Sequence, residues 1–176
     1  MAVSDSTTTT CHEIICPVPE CEPSFDTLLK IPLGTTMDLF QILDCCQNLV
    51  DTLIDTSDNN SRMALCGRLY AALKVLEVVL KAPLPAYLIE RLTVEIAEAE
   101  GYHCPLSTDS ETLRQYCAAL TLLLLQRQQS PEQEEQIAGL LYELIGVLTE
   151  DLKAPRFVRT ADGITMISSG IKAEVH

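Results

Sequence analysis

The segment Gly67–Pro83 (GRLYAALKVLEVVLKAP) returns 72 positions later as Gly139–Pro155 (GLLYELIGVLTEDLKAP). Nine of the 17 positions are identical, among them Gly67/Gly139, Tyr70/Tyr142 and the closing Lys-Ala-Pro. About one match is expected by chance at ordinary residue frequencies. The shared apolar positions recur at helical spacing, and a lysine in the last turn followed by proline is a helix stop. Such a repeat constrains the chain to a duplicated helical unit.

Each copy has a helix-forming stretch in front of it. Thr35-Thr36-Met37-Asp38 has the form of a capping box with Thr35 as the cap. Leu39, Ile42, Leu43, Cys46, Leu49, Val50, Leu53 and Ile54 then make one apolar stripe. Asp55–Asn60 is a turn by composition, and a second helix is predicted over 61–81. In the other copy, Thr108 to Glu111 reads as the box. Tyr116–Leu125 is apolar almost all round and so predicts the most buried helix. Ser130, Pro131 and Gln133 form a second cap for the last helix. Aligned on the two boxes, the first helices are offset by 73 positions and the second by 72, a one-residue change in loop length.

Pro83 and Pro85 end the first hairpin, and a connecting helix is predicted over 86–100, before Gly101. The expected fold is all-α: a bundle of about five helices built from two duplicated αα-hairpins. It spans 31–155, with repeats at 31–83 and 105–155. Residues 1–30 read as an extended lead containing cysteines and prolines. Residues 156–176 read as a tail with a small β-hairpin about Asp162-Gly163, pairing with Glu13–Cys16. A 5% aromatic content without tryptophan suits a Leu/Ile/Val/Ala helical core.

The net charge is −13, from 12 basic and 25 acidic residues. Residues 1–61 hold −9, 62–82 hold +3 and 83–176 hold −7. Phosphate binding needs clustered lysine and arginine, so nucleic acid is excluded as a ligand class. Anionic membranes are excluded by the same repulsion, and no apolar run approaches the ~20 residues of a spanning helix. The polar start, MAVSDSTTTTC, does not read as a signal peptide, so none is expected. The eight cysteines are therefore expected as reduced thiols in the cytoplasm.

Lys30–Thr35 with its two helices, and Thr108–Leu113 with Ile137–Leu152, resemble the helical-hairpin proteins of unknown function found in pseudomonads and related bacteria. The resemblance covers about half the chain. It implies a bacterial helical-hairpin fold and no catalytic residue.

Cys11, His12, Cys16 and Cys21 are the candidate metal ligands, with Cys-x₄-Cys spacings at the edge of what structural zinc sites use. The favoured reading is ordinary thiols in the lead with no metal bound. Cys45-Cys46 in a helix point about 100° apart, which opposes a redox pair. Glu132, Glu134 and Glu135 complement a helix N-terminus rather than form a carboxylate site. No phosphate loop, nucleophile elbow or His-Glu-x-x-His pattern occurs, and no cofactor is expected. Gly67 and Gly139 predict close approach of a facing helix. Asp44, Asp51, Asp55 and Asp58 are the candidate partner-binding residues. They either pair internally with Arg68, Lys74 and Lys81 or form a field for a basic partner.

The expected function is a non-enzymatic, acidic, helical protein-binding module of adaptor, chaperone or inhibitor type. The rival is a regulator that binds a small molecule or metal. A homo-oligomer is compatible with either.

Overall fold

In a computed structural model that describes residues 24–34, 36–95, 106–161 and 163–167, the chain is mostly helical with a small sheet. In chain order the elements are α1 (Phe25–Lys30), α2 (Leu39–Asp55), α3 (Asn59–Lys81), α4 (Ala86–Arg91), β1 (Thr93–Glu95), α5 (Ser110–Gln126), α6 (Pro131–Lys153), β2 (Phe157–Thr160) and β3 (Gly163–Met166). The four long helices close a ring: α2 packs on α3 and α6, and α5 packs on the same two. Both tight turns, Thr56–Asp58 and Arg127–Ser130, lie at one end of this ring.

Carboxylates and one serine start these helices. Asp38 caps α2: its side chain accepts from Gln41 N at 2.8 Å, while Gln41 Oε1 accepts from Asp38 N at 3.0 Å. The box therefore lies three residues beyond the expected Thr35, which is outside the described residues. Asp109, not Thr108, caps α5 by accepting from Thr112 N at 2.8 Å. In both places the ionised carboxylate takes the amide in preference to an upstream hydroxyl, being the stronger acceptor beside a helix dipole. Ser130 caps α6 with Pro131 and Gln133 as read from the sequence. Arg127, at φ 52°, turns the chain out of α5.

The core is a leucine lattice in which each fully buried Leu or Ile stabilises by about 1.5–3 kcal/mol. Its richest contributor is α2, with nine buried residues from Leu39 to Leu53. The expectation that α5 is the most buried helix fails. Tyr116 and Leu122 on α5 are exposed, and Arg114 and Thr121 occupy two of its six buried positions. The run is apolar all round because its outer face is apolar as well.

The connecting helix is shorter than expected. It stops at Arg91, and Thr93-Val94-Glu95 is a strand lying parallel to β2, Thr93 opposite Phe157. β-Branched residues at 93 and 94 favour that exit, and Leu92 O accepts from both Arg156 N and Phe157 N, at 2.9 and 3.1 Å. The tail hairpin forms as read: β2 pairs antiparallel with β3, Thr160 opposite Gly163. The expected pairing with Glu13–Cys16 lies outside the described residues; the other edge of β2 carries β1. Residues 25–30 of the expected extended lead are helical, and Leu28 within them is wholly buried.

Candidate functional site

Of the six exposed large apolar side chains on the four long helices, Tyr116, Leu122, Leu140 and Tyr142 lie on α5 and α6. On α5, Tyr116, Leu120 and Leu123 share one face; on α6, Ile137, Leu140 and Leu144 share another, by the 3.6-residue period. Ser110 Oγ meets Asp151 Oδ2, which sets the antiparallel register and puts Tyr116 about level with Ile145 and Leu120 about level with Leu141, one residue from Leu144 and Leu140. Tyr116 is 52% exposed and Leu140 is 50% exposed. The other four are half-buried. Beside this strip Glu143 and Glu150 are exposed on α6. Of the basic residues on these two helices, Arg114 is buried and paired, and Lys153 is bound to Asp44 on α2.

The seam between α2 and α3 is covered. There α1 packs across α2 and α3, and the Arg68 guanidinium donates to the Ile31 carbonyl. Cys45 and Leu49 on α2, and Leu65 and Ala72 on α3, are all buried.

A second apolar depression, of about 240 Å³, lies where the start of α2 meets the end of α3 and the Pro83-Leu84-Pro85 strap. Val78, Val79, Leu84 and Leu88 line it, and Tyr87 Oη donates to Asp38 Oδ2 at 3.1 Å across its rim. Partial burial and that carboxylate push the Tyr87 phenol above its ordinary pKa. Nearby the Arg91 guanidinium stands 3.9 Å from the Phe40 ring centre, a cation–π contact that fixes α4 on α2.

The four candidate aspartates are not gathered into one site. Asp44 pairs with Lys153 across α2 and α6. Asp51 accepts from Gln47 Nε2 at 2.9 Å on its own helix. Asp55 lines an open cleft of about 350 Å³ between the two turns, with Arg62, Glu134 and Glu135. Asp58 caps α3 through Ser61 N at 2.8 Å, and that bond lowers its pKa. None of the four pairs with Arg68, Lys74 or Lys81. Lys74 and Lys81 instead hold Glu77 at 3.2 and 2.9 Å, and their hydrogen bonds bring its pKa down to about 2.

Arg114 was not singled out by sequence reasoning, because an arginine in an amphipathic helix reads as surface. It is 3% exposed and reaches toward α3. Nε and Nη2 donate to Glu111 at 2.9 and 2.6 Å, and Nη2 lies 3.6 Å from Glu77. The pairing lowers the Glu111 pKa and raises that of Arg114. The network clips α3 to α5, and with every carboxylate engaged by a cation it is built as a structural tie.

Cys45, Cys46, Cys66 and Cys117 are free and buried. Burial pushes the Cys66 thiol up to about 11 and Cys117 up to about 12, and raises Cys45 and Cys46 as well. These are packing groups, not nucleophiles. The proposed ligands Cys11, His12, Cys16 and Cys21 lie outside the described residues. Among the described residues no group of three metal-ligating side chains converges, and no helix is long and apolar enough to cross a membrane.

The glycine expectation is overturned. A Cβ built at Gly67 or Gly139 meets nothing within 4 Å, so no facing helix approaches either position.

No protein-family model, curated protein or solved structure matches the chain.

Proposed function

We propose that the chain is a duplicated helical-hairpin module that binds another protein and performs no catalysis. The duplication is supported by matched elements. Helices α2 and α5 have 17 residues each, and α3 and α6 have 23 each. A shift of 71 carries buried Ile42, Leu43, Cys46, Val50 and Leu53 onto buried Leu113, Arg114, Cys117, Thr121 and Leu124. A shift of 72 carries buried Cys66, Leu69, Leu73 and Leu76 onto Ala138, Leu141, Ile145 and Leu148, also buried. The first helices are offset by 71 positions and not by the expected 73, since their caps are Asp38 and Asp109.

The observation behind the binding role is the outer face of α5 and α6. Isolated exposed apolar residues are ordinary, whereas neighbouring ones on two packed helices mark an interaction surface. The four buried thiols fit a reducing cytoplasm, where we place the protein.

The depression under Tyr87 favours the rival reading, a small-molecule regulator. At about 240 Å³ it falls below the ~300–1,000 Å³ of ordinary ligand pockets, so it ranks second. A photo-crosslinking amino acid placed at position 116, in cells that make the protein, tests the choice. A single protein adduct, absent when the same group replaces Lys74 on α3, supports the module. No adduct at position 116 removes that reading.

A further inference from the structure

We infer that the α5/α6 face takes a short amphipathic helix with basic flanks, supplied by a partner protein and seated as α1 is seated on α2 and α3. This deepens the binding-module reading and rests on it. The argument begins with where the two hairpins differ. Under the shifts of 71 and 72, Cys45, Leu49, Leu65 and Ala72 become Tyr116, Leu120, Ile137 and Leu144. The first four are sealed; the second four are half-buried or exposed. These differing positions all flank one seam, and in the first hairpin α1 covers that seam.

The covering segment shows what the seam accepts. Its helix is Phe25-Asp26-Thr27-Leu28-Leu29-Lys30. Leu28 is fully buried in the core, and Phe25, Leu29 and Ile31 pack against that core. In the first hairpin Arg68 holds the Ile31 carbonyl at the end of that segment. The counterpart of Arg68 is Leu140, so the open seam offers an apolar contact where the closed one offers a hydrogen bond. An incoming helix is therefore held by leucine- or phenylalanine-type side chains more than by its backbone.

Charge selects among occupants. Exposed Glu143 and Glu150 rim the seam. A second copy of this chain would bring its own Glu143 and Glu150 against them, in a protein of net charge −13. Like charges oppose that pairing, whereas a lysine- or arginine-flanked helix gains attraction and a faster encounter. The binding mode is a helix laid in a groove.

The probe is a stapled, fluorescein-labelled peptide of Ser24–Leu33 sequence with Asp26→Lys, titrated with the full-length chain. The staple removes the ordering cost that so short a helix would otherwise meet. Saturable binding is expected. It should weaken about tenfold or more with Tyr116→Glu, with Leu140→Glu and at about 0.5 M salt. Leu122→Glu, about 120° around α5 from Tyr116, should leave it unchanged. If Tyr116→Glu unfolds the chain, Tyr116→Ser is read in its place. No saturable binding, or binding indifferent to the variants at positions 116 and 140, overturns the proposal. So does a dimer in sedimentation that Leu140→Glu dissolves, which would assign the face to a second copy. A failed titration with an adduct at position 116 in cells removes only the basic-helix assignment; failure of both removes the module reading too.

Discussion

Cys45 and Tyr116 are each the seventh residue of a 17-residue helix, yet Cys45 is 3% exposed and Tyr116 is 52% exposed. Helix α1 packs on α2 and α3, the hairpin that holds Cys45, and has no described counterpart on α5 and α6. If α1 seals its seam as a packed element, Leu28→Ala should cost about 2–5 kcal/mol, the range for deleting a buried leucine. Tyr116→Ala should change stability by no more than about 0.5 kcal/mol, as surface changes do. Urea denaturation of both variants checks the contrast.

Gly67 and Gly139 sit at the same position of their helices with open space where a Cβ would go. Gly67→Ala and Gly139→Ala should each stabilise by about 0.5–1 kcal/mol, because alanine relieves the entropic cost of glycine in a helix. Thermal midpoints that fall would restore the close approach that the repeat alone suggests.

The Arg114 network gives an asymmetric expectation. Glu111→Ala leaves a buried guanidinium short of its main partner and should cost about 1–3 kcal/mol. Arg114→Met should cost less, since it removes the buried charge and leaves two carboxylates that reach solvent. Chemical denaturation of the two variants should show that order; the reverse would mean that the arginine is valued for more than its pairing.

The same network sets an acid limit. Glu77 has its pKa lowered from 4.5 to about 2 by Lys81 and Lys74. A depressed carboxylate pKa contributes stability that is present above pH 4.5 and is lost as pH falls toward 2. Stability against pH should therefore fall less steeply over that interval in Glu77→Gln than in the wild type. Equal slopes would mean that the lysines do not hold this carboxylate in solution.

The four long helices, their stops and the tail hairpin were legible because each has a local cause: apolar periodicity, Lys-Ala-Pro, Ser130-Pro131, Asp162-Gly163; the short α1 and the early end of α4 were not. What failed was decided by tertiary context. The Tyr116–Leu125 run could not reveal whether its all-round apolarity meant burial or an open face, since periodicity reports faces and not neighbours. The paired glycines suggested a close contact, but a repeated residue can be repeated by descent alone. The aspartates looked like one field; Asp58 is a cap, Asp44 a cross-helix partner and Asp51 a partner of Gln47. The strand at Thr93–Glu95 was hidden because its pairing partner lies more than sixty residues downstream.

Thiol labelling of a Tyr116→Cys variant tests the open face most directly. With a maleimide on the native, full-length chain at neutral pH, the new thiol should react at the rate of an exposed cysteine while Cys45 stays unreacted. Saturating stapled peptide should then slow labelling at position 116. A position-116 thiol as inert as Cys45 in the free chain would show that this face is already sealed, and would contradict the account.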